Sequence, residues 1–235
     1  MPSYVIVGAS RGLGYAWLQN LSAEPTNTVI GLARTPGPVK AQLAADKIEN
    51  VHVVQADMVD NQSLVEAAKE VARLTNGSVD YLIVNGAYLN PTTQALSPVA
   101  LTSDEALLRQ EMQQHLDVNV IGVMLAINAF LPLVRKSSIK KIVALSSGMG
   151  VSDFVEKAGI SFSVAYGSLK AALNMIIFKY SLELKDEGIV VLALSPGMVN
   201  TMVEPRKFTH YSTFSLDNMH HTPYLSWNML TICSY

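Results

Sequence analysis

The chain has 235 residues, with 17 Lys and Arg against 19 Asp and Glu, for a formal net charge of −2. Charged residues make up 15% and hydrophobic ones 49%, which excludes a disordered chain, since that needs low hydrophobicity and high charge. Near-neutrality removes the electrostatic footprint of a nucleic-acid binder, and the single cysteine, Cys233, allows neither an intrachain disulfide nor a cysteine zinc site, so a cytoplasmic protein is expected.

The first predicted element is a short β-branched strand, Tyr4–Val7, too early and too short for a signal peptide. A helix is predicted over Gly12–Leu21, a strand over Thr28–Leu32, a helix over Val39–Ile48 and a strand over Val51–Gln55. The next helix covers Gln62–Leu74, with Asn61 or Ser63 as the expected cap and Glu66 in its first turn. Strand Tyr81–Val84, helix Asp104–Leu133, strand Lys141–Leu145, helix Val164–Lys185 and strand Ile189–Leu194 complete the series.

Within the long helix, Val118 to Val134 carries no charge. It falls short of the ~20 residues a bilayer needs and contains Asn119, Gly122, Asn128 and Pro132, so no membrane partner is expected. A helix this apolar is buried against two neighbours, and a second subunit is a candidate for one of them. The strands are continuous apolar runs, as strands buried on both faces are. Strand–helix alternation of this kind predicts an α/β fold: a parallel sheet of about six strands with helices on both sides. Residues 1–200 show no linker and no internal repeat, so one domain is expected over 1–206, followed by a divergent tail over 207–235.

Two motifs carry chemistry. Between the first strand and helix lies Gly8-Ala9-Ser10-Arg11-Gly12-Leu13-Gly14. Glycines there permit a tight turn and close approach of backbone to a pyrophosphate, whose charge the helix N-terminus stabilises. The second motif is Tyr166-Gly167-Ser168-Leu169-Lys170, in which the phenol and the ammonium share one helix face. A cation at ~4 Å and effective dielectric ~20 interacts by about 4 kcal/mol, an upper bound. The expectation is a phenol pKa drawn from about 10 toward 7, where proton transfer is efficient.

With Asp57, Asn85-Gly86-Ala87, Asn119, Ser146-Ser147 and Ser195-Pro196-Gly197-Met198-Val199-Asn200-Thr201 in the same order, the chain resembles the short-chain dehydrogenase/reductase family. The resemblance covers about residues 3–201 and lies with the single-domain branch. The Val7-Gly8-Ala9-Ser10-Arg11-Gly12-Leu13-Gly14 opening is similar to fungal ketoreductases of the norsolorinic-acid reductase type. Val7 stands where the family usually has threonine, and Asn85-Gly86-Ala87-Tyr88 replaces the usual N-N-A-G.

The resemblance implies a Rossmann-type doubly wound fold and a set of roles. Tyr166 would be the general acid that protonates a carbonyl oxygen as hydride reaches its carbon. Lys170 would lower the phenol pKa and hold the nicotinamide ribose. Ser147, three residues before Gly150, would hydrogen-bond the same oxygen. Asn119 would anchor a water that relays protons to Lys170. Gly8, Ser10, Arg11, Gly12, Leu13 and Gly14 would hold the cofactor phosphates, and Asp57 the adenine. Asn85 and Ala87 would line the end of the fourth strand. Pro196, Gly197, Val199 and Thr201 would frame the nicotinamide.

A site for NAD places a carboxylate near the end of the second strand, whereas arginine suits the 2′-phosphate of NADP. The second strand ends Gly31-Leu32-Ala33-Arg34 with no acid, and Arg11 lies in the glycine loop, so NADP is expected. The predicted activity is NADP(H)-dependent hydride transfer between the nicotinamide and a carbonyl or secondary alcohol of a small hydrophobic substrate. A homodimer or homotetramer is the expected assembly.

Residues 207–235 hold six of the seventeen aromatics and three of the five histidines but only Lys207 and Asp217 as charges. His210, His220 and His221 have neither i, i+4 spacing nor a carboxylate cluster, so no metal is expected. No six-residue β-branched strand occurs from Phe208 onward, and the ending reads as divergent or truncated. The alternative to an active enzyme is therefore a non-catalytic dinucleotide-binding protein or an inactive truncated product. A sugar-nucleotide epimerase would need a larger C-terminal domain than this length allows.

Overall fold

Six runs rich in Val, Ile and Leu form one sheet in which every neighbouring pair is parallel. In the computed structural model, which describes residues 1–197, the strands are β1 (Ser3–Val7), β2 (Thr28–Ala33), β3 (Val51–Gln55), β4 (Tyr81–Val84), β5 (Lys141–Leu145) and β6 (Val190–Leu194). Their spatial order is β3-β2-β1-β4-β5-β6. The chain thus runs outward in one direction from β1 to β3, returns to the centre, and runs outward the other way. The order reverses between β1 and β4, and at such a switch point the loops leaving adjacent strands diverge and open a crevice. The expected six-stranded α/β fold is what the chain adopts. The expectations for residues 207–235, and for Val199 and Thr201, lie outside the described residues.

Alternation within each strand sends side chains to opposite faces. Val5 and Val7 face a core shared with helices α3 (Asn61–Leu74), α6 (Gly122–Val134) and α8 (Val164–Leu184), through Leu64, Val71, Ile127, Phe130, Leu173 and Ile177. Ile6 and Val29 face the other core, closed by Leu18 of α1 (Gly12–Ser22) and by Val39 and Leu43 of α2 (Pro36–Ala45). Helix α2 begins three residues before the expected Val39, because Pro36 and Pro38 fall in its first turn, where no backbone N–H is required. Asp60, rather than Asn61 or Ser63, caps α3, accepting from the Gln62 and Ser63 amides. The Ser63 hydroxyl instead accepts from the Asp57 amide at 3.0 Å.

The long helix predicted over Asp104–Leu133 is three pieces: α5 (Glu105–Leu116), a π turn (Asp117–Ile121) and α6. Among the described residues it is the one helix long and apolar enough by length and composition to cross a membrane, but 56% of its apolar window is buried. Val123, Ala126, Ile127, Phe130 and Val134 are spent on the sheet. Two short helices, α4 (Pro98–Thr102) and α7 (Ser152–Ala158), were not expected, since neither is long enough to display a helical period.

Candidate active site

Because all six strands are parallel, their carboxyl ends lie together, and the sequence-predicted site residues within 1–197 follow strands, except Asn119 in the π turn and Tyr166 and Lys170 in the first two turns of α8. The loop after β1 is built on Gly8, whose φ of +84° belongs to the left-handed region. A Cβ there would stand 2.5 Å from the Gly86 Cα in the loop after β4. Two backbones therefore touch where side chains would hold them apart. The Gly8 and Ala9 amides donate to the Leu32 carbonyl at 3.0 and 2.9 Å, and the Asn85 and Gly86 amides to the Val7 carbonyl at 2.9 Å. The Asn85 side chain donates to the Gly8 carbonyl at 2.9 Å. Asn85 thus pins the glycine loop from the neighbouring strand, a contact that spacing alone could not reveal.

Ser10, Arg11 and Gly12 are exposed, Leu13 is half-buried and Gly14 is buried. Helix α1 has no acidic residue in its first turn and no side-chain cap at Arg11. Its leading N–H groups and positive end are therefore left for an anion, which suits a cofactor pyrophosphate. Arg34, after β2, is also exposed, and no ion pair engages Arg11 or Arg34 among the described residues. Asp57 is half-buried after β3 and accepts from the Val59 amide at 3.2 Å, which fixes the turn that leads to the Asp60 cap. Ala87, Pro196 and Gly197 are exposed after β4 and β6.

On the far side of the switch point, the first turn of α8 carries Tyr166 and the second Lys170. Lys170 is 1% exposed; its Nζ donates to the Leu145 carbonyl at 2.6 Å and lies 5.7 Å from the Tyr166 ring centre. Burial pulls the ammonium down from 10.5 to about 8. Loss of solvent also pushes the Tyr166 phenol up, and the nearby Ser147 hydroxyl offsets that only in part. The expected fall of the phenol pKa toward 7 is corrected here. The ammonium is committed to a carbonyl, and desolvation disfavours the phenolate more than the cation favours it.

Ser147 also accepts from the Met149 amide at 3.2 Å, where it starts a short 3₁₀ turn over Gly148–Gly150. The loop is held from α8: Ser146 donates to the Asn174 Oδ1 at 2.5 Å, and the Asn174 Nδ2 donates to the Gly150 carbonyl at 3.2 Å. Asn174 went unnoticed in the sequence, although Tyr166, Lys170 and Asn174 repeat at i, i+4 and i+8. Asn119 is fully buried, and its amide clamps the Tyr88 backbone, accepting from the amide at 2.7 Å and donating to the carbonyl at 3.0 Å. Both ends of its side-chain amide are thereby engaged with one peptide unit. The π turn that contains it departs from the ordinary i→i−4 ladder, a local feature frequent at functional sites.

Residues 3–212 match the model of the short chain dehydrogenase family. The chain is 43% identical over 201 residues to the short-chain dehydrogenase/reductase AacuF of Aspergillus aculeatus, covering 85% of this chain and 75% of that protein. It is 40% identical over 202 residues to the short-chain dehydrogenase/reductase atnB of an Arthrinium species, covering 86% and 76%. Among solved structures, the NADPH-bound carbonyl reductase from chicken fatty liver superposes with a TM-score of 0.73 at 26% identity, over 88% of this chain and 81% of that one. The putative carbonyl reductase Sniffer of Caenorhabditis elegans does so at 0.69 and 26%, over 86% and 87%. These relatives, fungal ones among them, bear out the family resemblance, and the chain belongs to the short-chain dehydrogenase/reductase family of oxidoreductases, which bind a nicotinamide cofactor.

Proposed function

We propose that the protein is an NADP(H)-dependent carbonyl reductase, or the corresponding alcohol dehydrogenase, acting on a small hydrophobic substrate. The observation that carries this reading is the half-buried Tyr166 phenol, whose pKa is raised by loss of solvent and which stands near Ser147 and Lys170. A neutral phenol at physiological pH is the form that can give a proton away.

The bound nicotinamide supplies or accepts the hydride. Tyr166 gives its phenolic proton to the carbonyl oxygen as that oxygen gains charge. Ser147 donates a hydrogen bond to the same oxygen. Lys170, the nearest buried cation, stabilises the phenolate left behind and, with a pKa of about 8, can return a proton at modest energetic cost. Asn119 fixes the Tyr88 loop beside them. Arg11 and Arg34 would hold the 2′-phosphate, and the NADPH-bound state of the chicken carbonyl reductase supports that preference.

The test pairs an NADPH fluorescence titration with a panel of carbonyl substrates. Tyr166→Phe is expected to lower turnover about 10²–10⁴-fold with NADPH binding nearly intact. Retention of more than about a tenth of the activity would remove Tyr166 from the mechanism.

A further inference from the structure

Beside Tyr166 lies a buried polar cluster that the reaction above does not use. Glu111 and His115, one turn apart on α5, are 1% and 2% exposed. The Glu111 carboxylate accepts from the Asn90 side-chain amide at 2.5 Å and from the Thr93 hydroxyl at 2.7 Å. It thereby docks the loop after β4 onto α5. The His115 Nδ1 lies 2.9 Å from the Glu111 backbone carbonyl and 3.8 Å from its carboxylate. A carbonyl can only accept, so Nδ1 carries a proton. In the neutral ring, Nε2 is then an acceptor. Among the described residues it is buried with no hydrogen-bond partner.

An orphaned buried acceptor is costly and calls for an explanation. His115 meets the Tyr88 ring edge-on at 4.8 Å and the Tyr166 ring at 6.3 Å. It also borders a cavity of about 10 Å³, lined as well by Asn90, Thr93, Ser163 and Tyr166. That is room for one hydroxyl-sized group. Since Nδ1 is committed to its own helix, Nε2 is the ring nitrogen left to meet a further group.

We infer that His115 Nε2 is a specificity-determining acceptor for a hydroxyl group carried by the substrate. The inference rests on the carbonyl-reductase reading and narrows it. The substrate class becomes carbonyl compounds bearing a hydroxyl a few bonds from the carbonyl, because the Tyr166 and His115 rings are 6.3 Å apart. A site built to accept a hydrogen bond discriminates against an analogue that leaves the acceptor unpaired.

The experiment uses the full chain with NADPH and two probes that differ by one group, meta-hydroxyacetophenone and acetophenone. With isotope-labelled histidine, the His115 Nε2 resonance is expected to move on adding the hydroxylated probe and to stay put with acetophenone. In turnover, the hydroxylated probe is expected to have a kcat/KM about tenfold higher. His115→Phe keeps a ring without the acceptor and should erase that ratio while leaving acetophenone and NADPH unaffected. His115→Gln restores an acceptor and should recover part of the ratio, which guards against a merely structural effect.

A resonance that ignores both probes, as it would if the acceptor took only a water, overturns the inference. So does a ratio unchanged in His115→Phe. If the resonance responds but Tyr166→Phe leaves turnover intact, the hydroxyl subsite stands and the catalytic reading falls. The two failures are thereby separable.

Discussion

Lys170 holds an ammonium where only 1% of the residue meets solvent, and its pKa falls from 10.5 to about 8. Between those two values the unfolded chain carries more protons than the folded one, so this residue's contribution to stability rises with pH through that window. Below about pH 8 the full penalty is present, on the order of 3 kcal/mol at 1.36 kcal/mol per pKa unit. Lys170→Met should therefore be more stable than the native protein at about pH 7 without cofactor, and the gap should close toward about pH 10. Urea denaturation of both proteins at the two pH values checks this, and parallel pH profiles would contradict it. The Arg11→Ala/Arg34→Ala pair belongs to the same scale. NADPH is expected to bind at least about tenfold tighter than NADH, a difference of only about 1.4 kcal/mol, and the double variant should bring the two dissociation constants together. Residue identity, spacing and motif order single out Tyr166, Lys170 and the two arginines in the sequence. The direction of the phenol shift is not legible there, because it depends on how much water is removed, and that is decided by the packing of α8 rather than by a five-residue motif.

Loops and helices show the same division. The strands were readable because Val- and Ile-rich runs buried on both faces leave a continuous apolar trace, and α3 because its apolar positions repeat at helical spacing. The boundary at Asp60 was missed by one residue, since Asp60, Asn61 and Ser63 are all capable caps and only the hydrogen bonds choose among them. Asn119 is the sharper case. Its place in the motif order was plain, but the π turn around it and its grip on Tyr88, 31 residues away in sequence, are long-range facts. Asn119→Ala would leave the Tyr88 N–H and C=O without their partner in a partly buried place, at no more than about 1–3 kcal/mol for each group. At roughly 2–4 °C per kcal/mol for a chain of this size, the melting temperature should fall by several degrees, with the loop after β4 exchanging its amide hydrogens faster. An unchanged melting curve would show the clamp to be dispensable.

Among the described residues, α8 and the π turn present apolar side chains that the sheet does not cover. Met175 and Leu182, two turns apart on α8, are 56% and 48% exposed, and Ile121 at the π turn is 40% exposed. We propose that a second copy of the chain covers this surface, since a two-fold contact buries the same patch on both partners at once. Light scattering at micromolar concentration should give a dimer or tetramer, and Met175→Glu with Leu182→Glu should shift it toward monomer. A monomer peak from the unaltered chain would refute the proposal.

The central place of β1 also bears on how the chain is made. Tyr4 sits between Val29 of β2 and Tyr81 of β4, so one neighbour of β1 is synthesised early and the other much later. At about 5–20 residues per second, roughly one to five seconds pass between the emergence of β3 from the ribosome and that of β4. During that interval the innermost strand of the finished sheet is an open edge, with bare N–H and C=O groups beside Val5, Ile6 and Val7. The nascent half-domain is thus at its most adhesive along the line that later becomes its most protected, and a chain arrested before Tyr81 would expose that line for as long as the arrest lasts.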